Sequence, residues 1–495
     1  MKKQAFNPYL PSWEYVPDGE PHVFGDRVYV YGSHDLAHGS VFCLGDYVCW
    51  SAPIDDLSDW KYEGVSFHRL DDPANKDGRM VLYAPDVTQG PDGRFYLYYA
   101  YDKVSFVSVA VSDTPAGPFK FYGYVHYKDG TRLGERKGDQ VQFDPAVLTE
   151  GERTYLYTAF CGHKMNDRIG AMATVLGPDM ITIEEEPRII VPGDCYAQDV
   201  AKAKEEAKEL GCPYELCSTE NWGGYKDHEF FEASSIRKVG DKYYFVYSSA
   251  PMHELCYAVS SSPVGGFVYG GVIVSNCDLH IDTYKPADMP AAYGANNHGG
   301  MVNIKGDWYI FYHRHTEGTW YSRQGCAEKI KILEDGSIPQ VEITSCGLNG
   351  GPLKGEGEYP AYIACNLFTE KPSIYVADGF PRVTQDGCDH EDGSPFEQND
   401  SSYITGIVKG TTIGFKYFDF KGVAKIGIKT RAYFQGDFEI RTSIDGPVLG
   451  KIKVDFSNFW ELNSTDIKIP DGTSALYLKF TGNGSGQLKS IILNP

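Results

Sequence analysis

Through the first 345 residues the apolar positions fall in short dense runs and lack the spacing of an amphipathic helix. Five of these runs share one grammar: a glycine, a polar turn residue, then aromatic and β-branched residues. They are "FGDRVYVYG" from Phe24, "DGRFYLYYA" from Asp92, "EGERTYLYT" from Glu150, "VGDKYYFVY" from Val239 and "KGDWYIFYH" from Lys305. The turn glycines, Gly25, Gly93, Gly151, Gly240 and Gly306, lie 68, 58, 89 and 66 residues apart. Runs that are apolar throughout, such as Val28 to Tyr31 and Tyr243 to Tyr247, predict strands covered on both faces. Shorter strand-like pieces lie between them, "FVSVAVS" from Phe106 and "LCYAVSSSP" from Leu255 among them. Several strands per unit and five units predict a radial array, a five-bladed β-propeller over residues 1–350.

One helix interrupts this pattern. In "AQDVAKAKEEAKELG", Val200, Ala203, Ala207 and Leu210 share a face and Gly211 supplies a stop, so an insertion between the third and fourth units is expected to dock its apolar stripe onto the propeller. After Cys346 the Gly-rich "GLNGGPLKGEGEYP" ends the repeat grammar. Residues 358–495 alternate short strands with turns and predict a second domain, a β-sandwich of jelly-roll type. The fold class is therefore all-β.

Composition narrows the function. Aromatic residues make up 14% of the chain, which suits surfaces that stack on flat ligands such as sugars. A net charge of -21 would repel a phosphate backbone or an anionic bilayer, so neither nucleic acid nor a membrane is an expected partner. The opening "MKKQAFNPYLPSWEY" has no apolar core of a secretion signal, and no stretch approaches the roughly 20 apolar residues of a membrane span. The twelve cysteines have no zinc-ribbon or redox spacing; the closest pairs are Cys43 with Cys49 and Cys212 with Cys217. Reduced, mostly buried thiols in a cytoplasmic protein are the expectation.

Counting back from each turn glycine finds an ionisable residue every time. Asp18, Asp86 and Asp144 stand seven residues before their glycines, and Glu232 and His298 stand eight before theirs. An acid before a strand is commonly a turn former. Five such residues in repeat register instead converge on one mouth of the propeller's channel. Carboxyls crowded in a partly desolvated pocket hold at least one proton, so acid and base are supplied together. Cleavage of a glycosidic bond needs that pair.

At these residues the sequence resembles glycoside hydrolase family 43, inverting enzymes built on a five-bladed propeller, across most of residues 1–345. "VPDGEPHVFGDRVYVYGSHD" looks like the family's first-blade segment and implies Asp18 as general base. "FDPAV" resembles the segment of the auxiliary aspartate, here Asp144, and "FFEASSIRKVGDKYYFVYSS" the general-acid segment, with Glu232 in that role. The resemblance further implies that Asp144 orients Glu232 and raises its pKa, and that "YAPDV" supplies Tyr83 and Asp86 to the pocket wall. It implies Arg323 of "YSRQG" as a sugar-hydroxyl contact, and places His298 of "NNHGGMV" near the axis, where some members hold a structural calcium ion or a water cluster. No cofactor is implied for the chemistry itself. Where the family has Asp-Pro, this chain has Asp18-Gly19-Glu20-Pro21, which leaves Glu20 as a competitor for the base. The Asn-Asp-Pro-Asn-Gly and Arg-Asp-Pro motifs of retaining relatives are absent, which favours inversion, with the two carboxyls roughly 6.5–9.5 Å apart.

The segment from about Glu358 resembles carbohydrate-binding module family 6, through "GTTIGFKYFDF", "GDFEIRTSIDGPVLGKIKV" and "ALYLKFTGNGSGQL". An aromatic common in that family is replaced by Thr412, so a stacking platform there would rest on Tyr403 and Trp460. The expected substrate is an oligosaccharide, and the expected activity is an exo-acting α-L-arabinofuranosidase on plant arabinoxylan or arabinan fragments, within xylan degradation. β-Xylosidase or galactofuranosidase activity is the alternative, and a non-catalytic glycan-binding propeller is the alternative of another class.

Overall fold

Each repeated glycine closes a tight turn between the first two strands of a sheet, and five such sheets form the blades of a propeller, followed by a C-terminal β domain. The computed structural model describes residues 4–160, 169–193, 205, 208, 211, 215–216, 222–375, 381–385 and 401–494. Blade 1 comprises Glu20–Phe24, Arg27–Tyr31, Tyr47–Pro53 and Lys61–Phe67. Blade 2 comprises Asp86–Gln89, Phe95–Tyr99, Ser108–Ser112 and Lys120–Tyr124. Ala146–Glu150, Arg153–Thr158, Gly170–Leu176 and Ile183–Pro192 form blade 3, with Glu215–Leu216 added in parallel at its edge. Phe230–Val239, Lys242–Ser249, Glu254–Ser260 and Val268–Ser275 form blade 4. Blade 5 contributes Met301–Ile304, Asp307–His315 and Arg323–Ile330. Apart from the parallel edge strand of blade 3, consecutive strands within every blade pair antiparallel in chain order.

The turn glycines have φ of 64°, 83°, 62°, 62° and 95°, the left-handed region that a tight hairpin requires and that side chains other than Gly, Asn and Asp disfavour. The apolar runs that follow are the second strands; Phe95–Tyr99 is buried at every position, as strands packed between neighbouring blades must be. The ring closes through the start of the chain. The Tyr9 N–H donates to Gly325 O at 3.3 Å, and the Asn7 side chain brackets Ala327, accepting from its N–H at 2.9 Å and donating to its carbonyl at 3.0 Å. Residues 7–9 thus lie alongside the third strand of blade 5. Nearer the axis Gly19 bridges Gly299, and a Cβ at Gly299 would come 1.9 Å from Phe311 O, so only glycine admits this closure.

The second domain is organised by one long strand, Lys425–Arg441. Its first half pairs with Ser457–Asp466 and Asn483–Leu493, and its second half with Gly450–Val454 and Gly472–Phe480. The exchange of partners follows Ala432, at φ 92°, so one strand serves both sheets of a curled sandwich. Ile426, Ile428, Phe438 and Ile440 on this strand meet Phe415, Phe418, Leu476 and Leu478 in its core. Ahead of residue 358, Leu353–Lys354 pairs with Phe418 and Asp419. Lys416 reaches from the sandwich into the propeller, its Nζ 3.1 Å from Asp278 and 3.0 Å from Glu342. The helix expected at 197–211 lies, apart from isolated positions, outside the described residues, as do Cys212 and Cys217. The seven cysteines that are described are all free thiols, six of them buried.

Candidate active site

A cavity of about 910 Å³ opens at the mouth of the channel, and Asp18, Asp144, Glu232 and His298 all line it. Residues from blades 1, 3, 4 and 5, separated by up to 280 positions in sequence, are gathered at one place. The backbone aims them. Asp18 and Asp144 sit just ahead of their inner strands at φ 57° and 43°, and Ala233, beside Glu232, is at φ 68° where the pairing of the first two strands of blade 4 slips. Non-glycine residues in this region cost stability, and here they turn side chains out of the sheet and into the cavity.

Asp18 is buried and held by Arg323 and His313. Arg323 Nη1 donates to its Oδ1 at 2.9 Å, and His313 Nδ1 lies 3.2 Å from the same oxygen. Burial alone would push this carboxyl up, but the guanidinium first, then His313 and His298, outweigh it and hold Asp18 well below the usual carboxylate range. Asp18 is therefore an anion at any pH near neutrality. Arg323 is itself fixed by Asp35, whose carboxylate accepts from Nε at 2.8 Å and Nη2 at 3.1 Å, and it stacks on Phe42 with 4.8 Å to the ring centroid. Three of its nitrogens are thus committed to carboxylates, and holding Asp18 is its evident task beside any contact to sugar.

Glu232 has the opposite environment. Burial, then the negative charge of Asp18, push its carboxyl up to about 7, with Arg323 opposing. Asp144 is also pushed up, by burial, then Glu232, then Asp18. These two carboxyls titrate as a pair. The Ala233 N–H donates to Asp144 Oδ2 at 3.1 Å, whereas the Glu232 side chain has no hydrogen bond among the described residues. The Ala233 bond opposes the rise at Asp144 and Glu232 has no such bond, and between them the two carboxyls hold a proton near neutral pH. Asp144 also ties down the peptide adjoining Glu232 through the Ala233 bond.

His298 lies 3.7 Å from Asp144 through Nδ1, and burial lowers its pKa to about 4, so it is neutral. Its Nε2 is buried without a hydrogen-bond partner. Calcium prefers six to eight oxygen ligands. The nearest carboxylate to His298 is that of Asp144, His313 and Arg323 are among its other neighbours, and His298 belongs to neither group of described residues able to converge on a metal. This donor set does not fit calcium.

Tyr83 lines the cavity, its ring 4.8 Å from that of Phe143. Asp86 does not line it. Its Oδ1 is 2.6 Å from His22 Nε2 and its Oδ2 accepts from Val147 N at 2.8 Å, so this fully buried acid joins blades 1, 2 and 3 below the cavity and is withdrawn from the pocket wall. Asp86 begins its strand in extended conformation and lacks the left-handed turn that lifts Asp18 and Asp144. Glu20 is withdrawn as a competing base: its Oε2 accepts from Arg237 Nη2 at 2.7 Å, and it does not line the cavity.

Sequence reasoning missed Asp35, His313 and the aromatic wall. The signals were present. Phe143 and Phe231 immediately precede Asp144 and Glu232, and both line the cavity with Phe42, Phe160 and Trp320. His313 and His315 are polar positions in a strand otherwise buried and apolar from Tyr309 to Tyr312.

Comparison with known proteins follows this geometry. The family model described as Glycosyl hydrolases family 43 matches residues 23–338. The chain is 61% identical over 500 residues to a xylosidase/arabinosidase of Thermoclostridium stercorarium, covering 100% of this chain and 99% of that one. A xylosidase/arabinosidase of Bacteroides ovatus is 28% identical over 68% of this chain and 97% of its own. Among solved structures, a β-xylosidase/α-arabinofuranosidase from a compost microbial metagenome, in complex with xylotriose, superposes with a TM-score of 0.50 at 26% identity, over 69% of this chain and 98% of that one. An arabinoxylan arabinofuranohydrolase of Bacillus subtilis superposes with a TM-score of 0.50 over 98% of this chain and 97% of that one; at 20% identity it speaks to the two-domain fold alone.

Proposed function

The chain belongs to glycosyl hydrolase family 43 and is a glycosidase, and on that premise we propose that it is an inverting, exo-acting α-L-arabinofuranosidase that releases arabinose from arabinoxylan or arabinan oligosaccharides. The observation that carries the reading is the contrast between two acids facing one cavity, Asp18 held ionised by Arg323 and Glu232 held protonated to about pH 7. The family match begins after Asp18, so the base assignment rests on this geometry.

In the proposed displacement Asp18 accepts a proton from water as the water oxygen bonds to the anomeric carbon. The bond from that carbon to the leaving oxygen breaks, and Glu232 gives its proton to that oxygen. Exchange with solvent then returns a proton to Glu232 and removes one from Asp18. Asp144 positions Glu232, and Arg323 keeps Asp18 anionic and in place. Walls of Phe42, Phe143, Phe160 and Trp320 support recognition of a chain end, with Tyr83 and Arg323 as sugar contacts. The family's chemistry needs no cofactor.

β-Xylosidase activity at the same site is the second reading, favoured by the relative at 61% identity that bears both activities in its name. Values of kcat/KM on aryl α-L-arabinofuranoside, β-D-xylopyranoside and β-D-galactofuranoside decide between them. A preference for the xylopyranoside would replace the first reading with the second.

We read the sandwich as a module like those of carbohydrate-binding family 6, on its resemblance. The platform expected at Tyr403 and Trp460 is covered: Tyr403 is buried, and Arg431 lies over Trp460 at 4.2 Å. Among the described residues the exposed rings of this domain are instead Tyr375, Tyr433, Phe456 and Phe459, with Tyr433 and Phe456 stacked at 4.7 Å.

A further inference from the structure

At the cavity end of blade 4, three potential metal ligands converge. His228 precedes the inner strand, and Glu254 and Cys256 begin the third. His228 Nδ1 is 2.8 Å from Glu254 Oε2 and 4.0 Å from Cys256 Sγ, and that sulfur is 3.7 Å from the same carboxylate oxygen. From the following loop His280 brings its Nε2 to within 3.6 Å of the other oxygen, Glu254 Oε1.

Two features separate this cluster from a packed ion pair. First, Glu254 is 1% exposed, yet its Oε1 has no hydrogen-bond partner, and among the described residues the carboxylate pairs with no lysine or arginine. His228 and Ser249 compensate Oε2, but a buried carboxylate oxygen left without a donor, as Oε1 is, carries a desolvation cost that a cation here relieves. The other convergent group, Glu20, His22 and Asp86, shows the contrast, because Arg237 already supplies its positive charge. Second, the cluster has the wrong geometry for a nucleophilic cysteine. In a Cys-His-Glu relay the thiol and the carboxylate contact different imidazole nitrogens, whereas here both approach Nδ1.

We propose that His228, Glu254 and Cys256, with His280 as the fourth ligand, form a binding site for a divalent transition-metal ion of the softness of Zn2+. With metal–nitrogen and metal–sulfur bonds of about 2.0 and 2.3 Å, a tetrahedral ion sets nitrogen and sulfur about 3.5 Å apart and nitrogen and oxygen about 3.3 Å apart. The existing separations of 4.0, 3.7 and 2.8 Å among His228, Cys256 and Glu254 bracket those values, so shifts of about half an ångström bring these three into place, and the exposed His280 side chain swings in as the fourth ligand. Cys256 binds as the thiolate, its proton leaving to solvent. The supporting shell is built: the Ser249 hydroxyl donates to Glu254 Oε2 at 2.8 Å, and the His228 ring stacks on Tyr269 at 5.1 Å. His280 is 59% exposed at its side chain and marks the route of entry. A bound ion ties the segment leading into Glu232 to the third strand and to the loop beyond the fourth.

The test is titration of the metal-stripped full-length chain with Co2+ and Zn2+. One equivalent should bind, Co2+ should show a thiolate charge-transfer band, and saturating Zn2+ should raise Tm. Cys256→Ser should lose the band, and His228→Gln and His280→Ala should each weaken Zn2+ binding by about tenfold to a hundredfold or more. His280→Ala, at an exposed position, keeps the test decisive should Cys256→Ser fail to fold. A band that survives Cys256→Ser, an affinity unchanged in His228→Gln and His280→Ala, or no binding at micromolar Zn2+ overturns the proposal.

Discussion

Glu232→Gln keeps the shape of the proposed acid and removes its proton. With the carboxyl at about 7, half of the wild-type molecules are protonated at that pH and about one in eleven at pH 8. For a substrate whose leaving oxygen needs a proton, kcat/KM should therefore fall about tenfold per unit on the alkaline side. The acid side should stay flat through about pH 5, because Arg323 and His313 hold Asp18 below the usual carboxylate range. The glutamine variant should lose about 10²–10⁴ in kcat on a natural oligosaccharide and far less on an aryl glycoside whose phenol leaves without assistance. Its profile on that activated substrate should lack the alkaline limb. The assay is kcat/KM from pH 4 to 9 on both substrates, for both proteins, with oligosaccharide binding to the variant measured calorimetrically. An alkaline limb that persists in the variant, or equal losses on both substrates, would refute the assignment of the acid.

Asp18→Asn should lower turnover at least as severely, and by removing a charge that raises Glu232 it should shift that carboxyl below about 7, followed by carbon-13 NMR of the labelled side chain; an unmoved titration would contradict the coupling. Lys416→Met leaves the buried Asp278 uncompensated and should cost about 3–5 kcal/mol in thermal or denaturant unfolding at neutral pH. Asp278 is already pushed up by burial against the pull of Lys416, so without Lys416 its folded pKa rises further above the unfolded one. The penalty should therefore shrink as pH falls and the carboxyl takes a proton, and a penalty independent of pH would count against this account. Gly240→Ala places its Cβ in open space but keeps φ at 62°, so it should cost about 1–2 kcal/mol from backbone strain alone, read from the unfolding midpoint with kcat unchanged.

The blades were legible because one local motif repeats: a left-handed glycine between two strands is a short-range signal, and burial on both faces writes itself as unbroken apolar runs such as Phe95–Tyr99. The closure was not legible, since residues 7–9 carry no turn or strand signature and find their place only by bonding to Gly325 and Ala327 across the whole propeller. Asp35 escaped for the same reason. Its task is a forked bond to Arg323, 288 positions away, and nothing near it in sequence marks it as more than a turn acid. In the sandwich the aromatic positions were visible but their exposure was not, because Arg431 covers Trp460 from another strand.

Asp86 shows why repeat register alone does not define a site. It stands at the same offset as Asp18 and Asp144, and an argument from spacing treats the three alike. What divides them is one backbone torsion: Asp18 and Asp144 break from their strands into the left-handed region, and Asp86 does not. An extended residue directs its side chain across the sheet toward neighbouring blades, and Asp86 meets His22 and the Val147 N–H there. The two strained acids point along the axis and meet the cavity. Aspartate tolerates this conformation better than most residues, so the residue type we propose as base and as positioner is also the one that can be turned upward at modest cost. The proposed chemistry and the fold therefore select the same side chain at the same place, and the strain at Asp18, Asp144 and Ala233 is the local cost of gathering the proposed acid and base at one end of the channel.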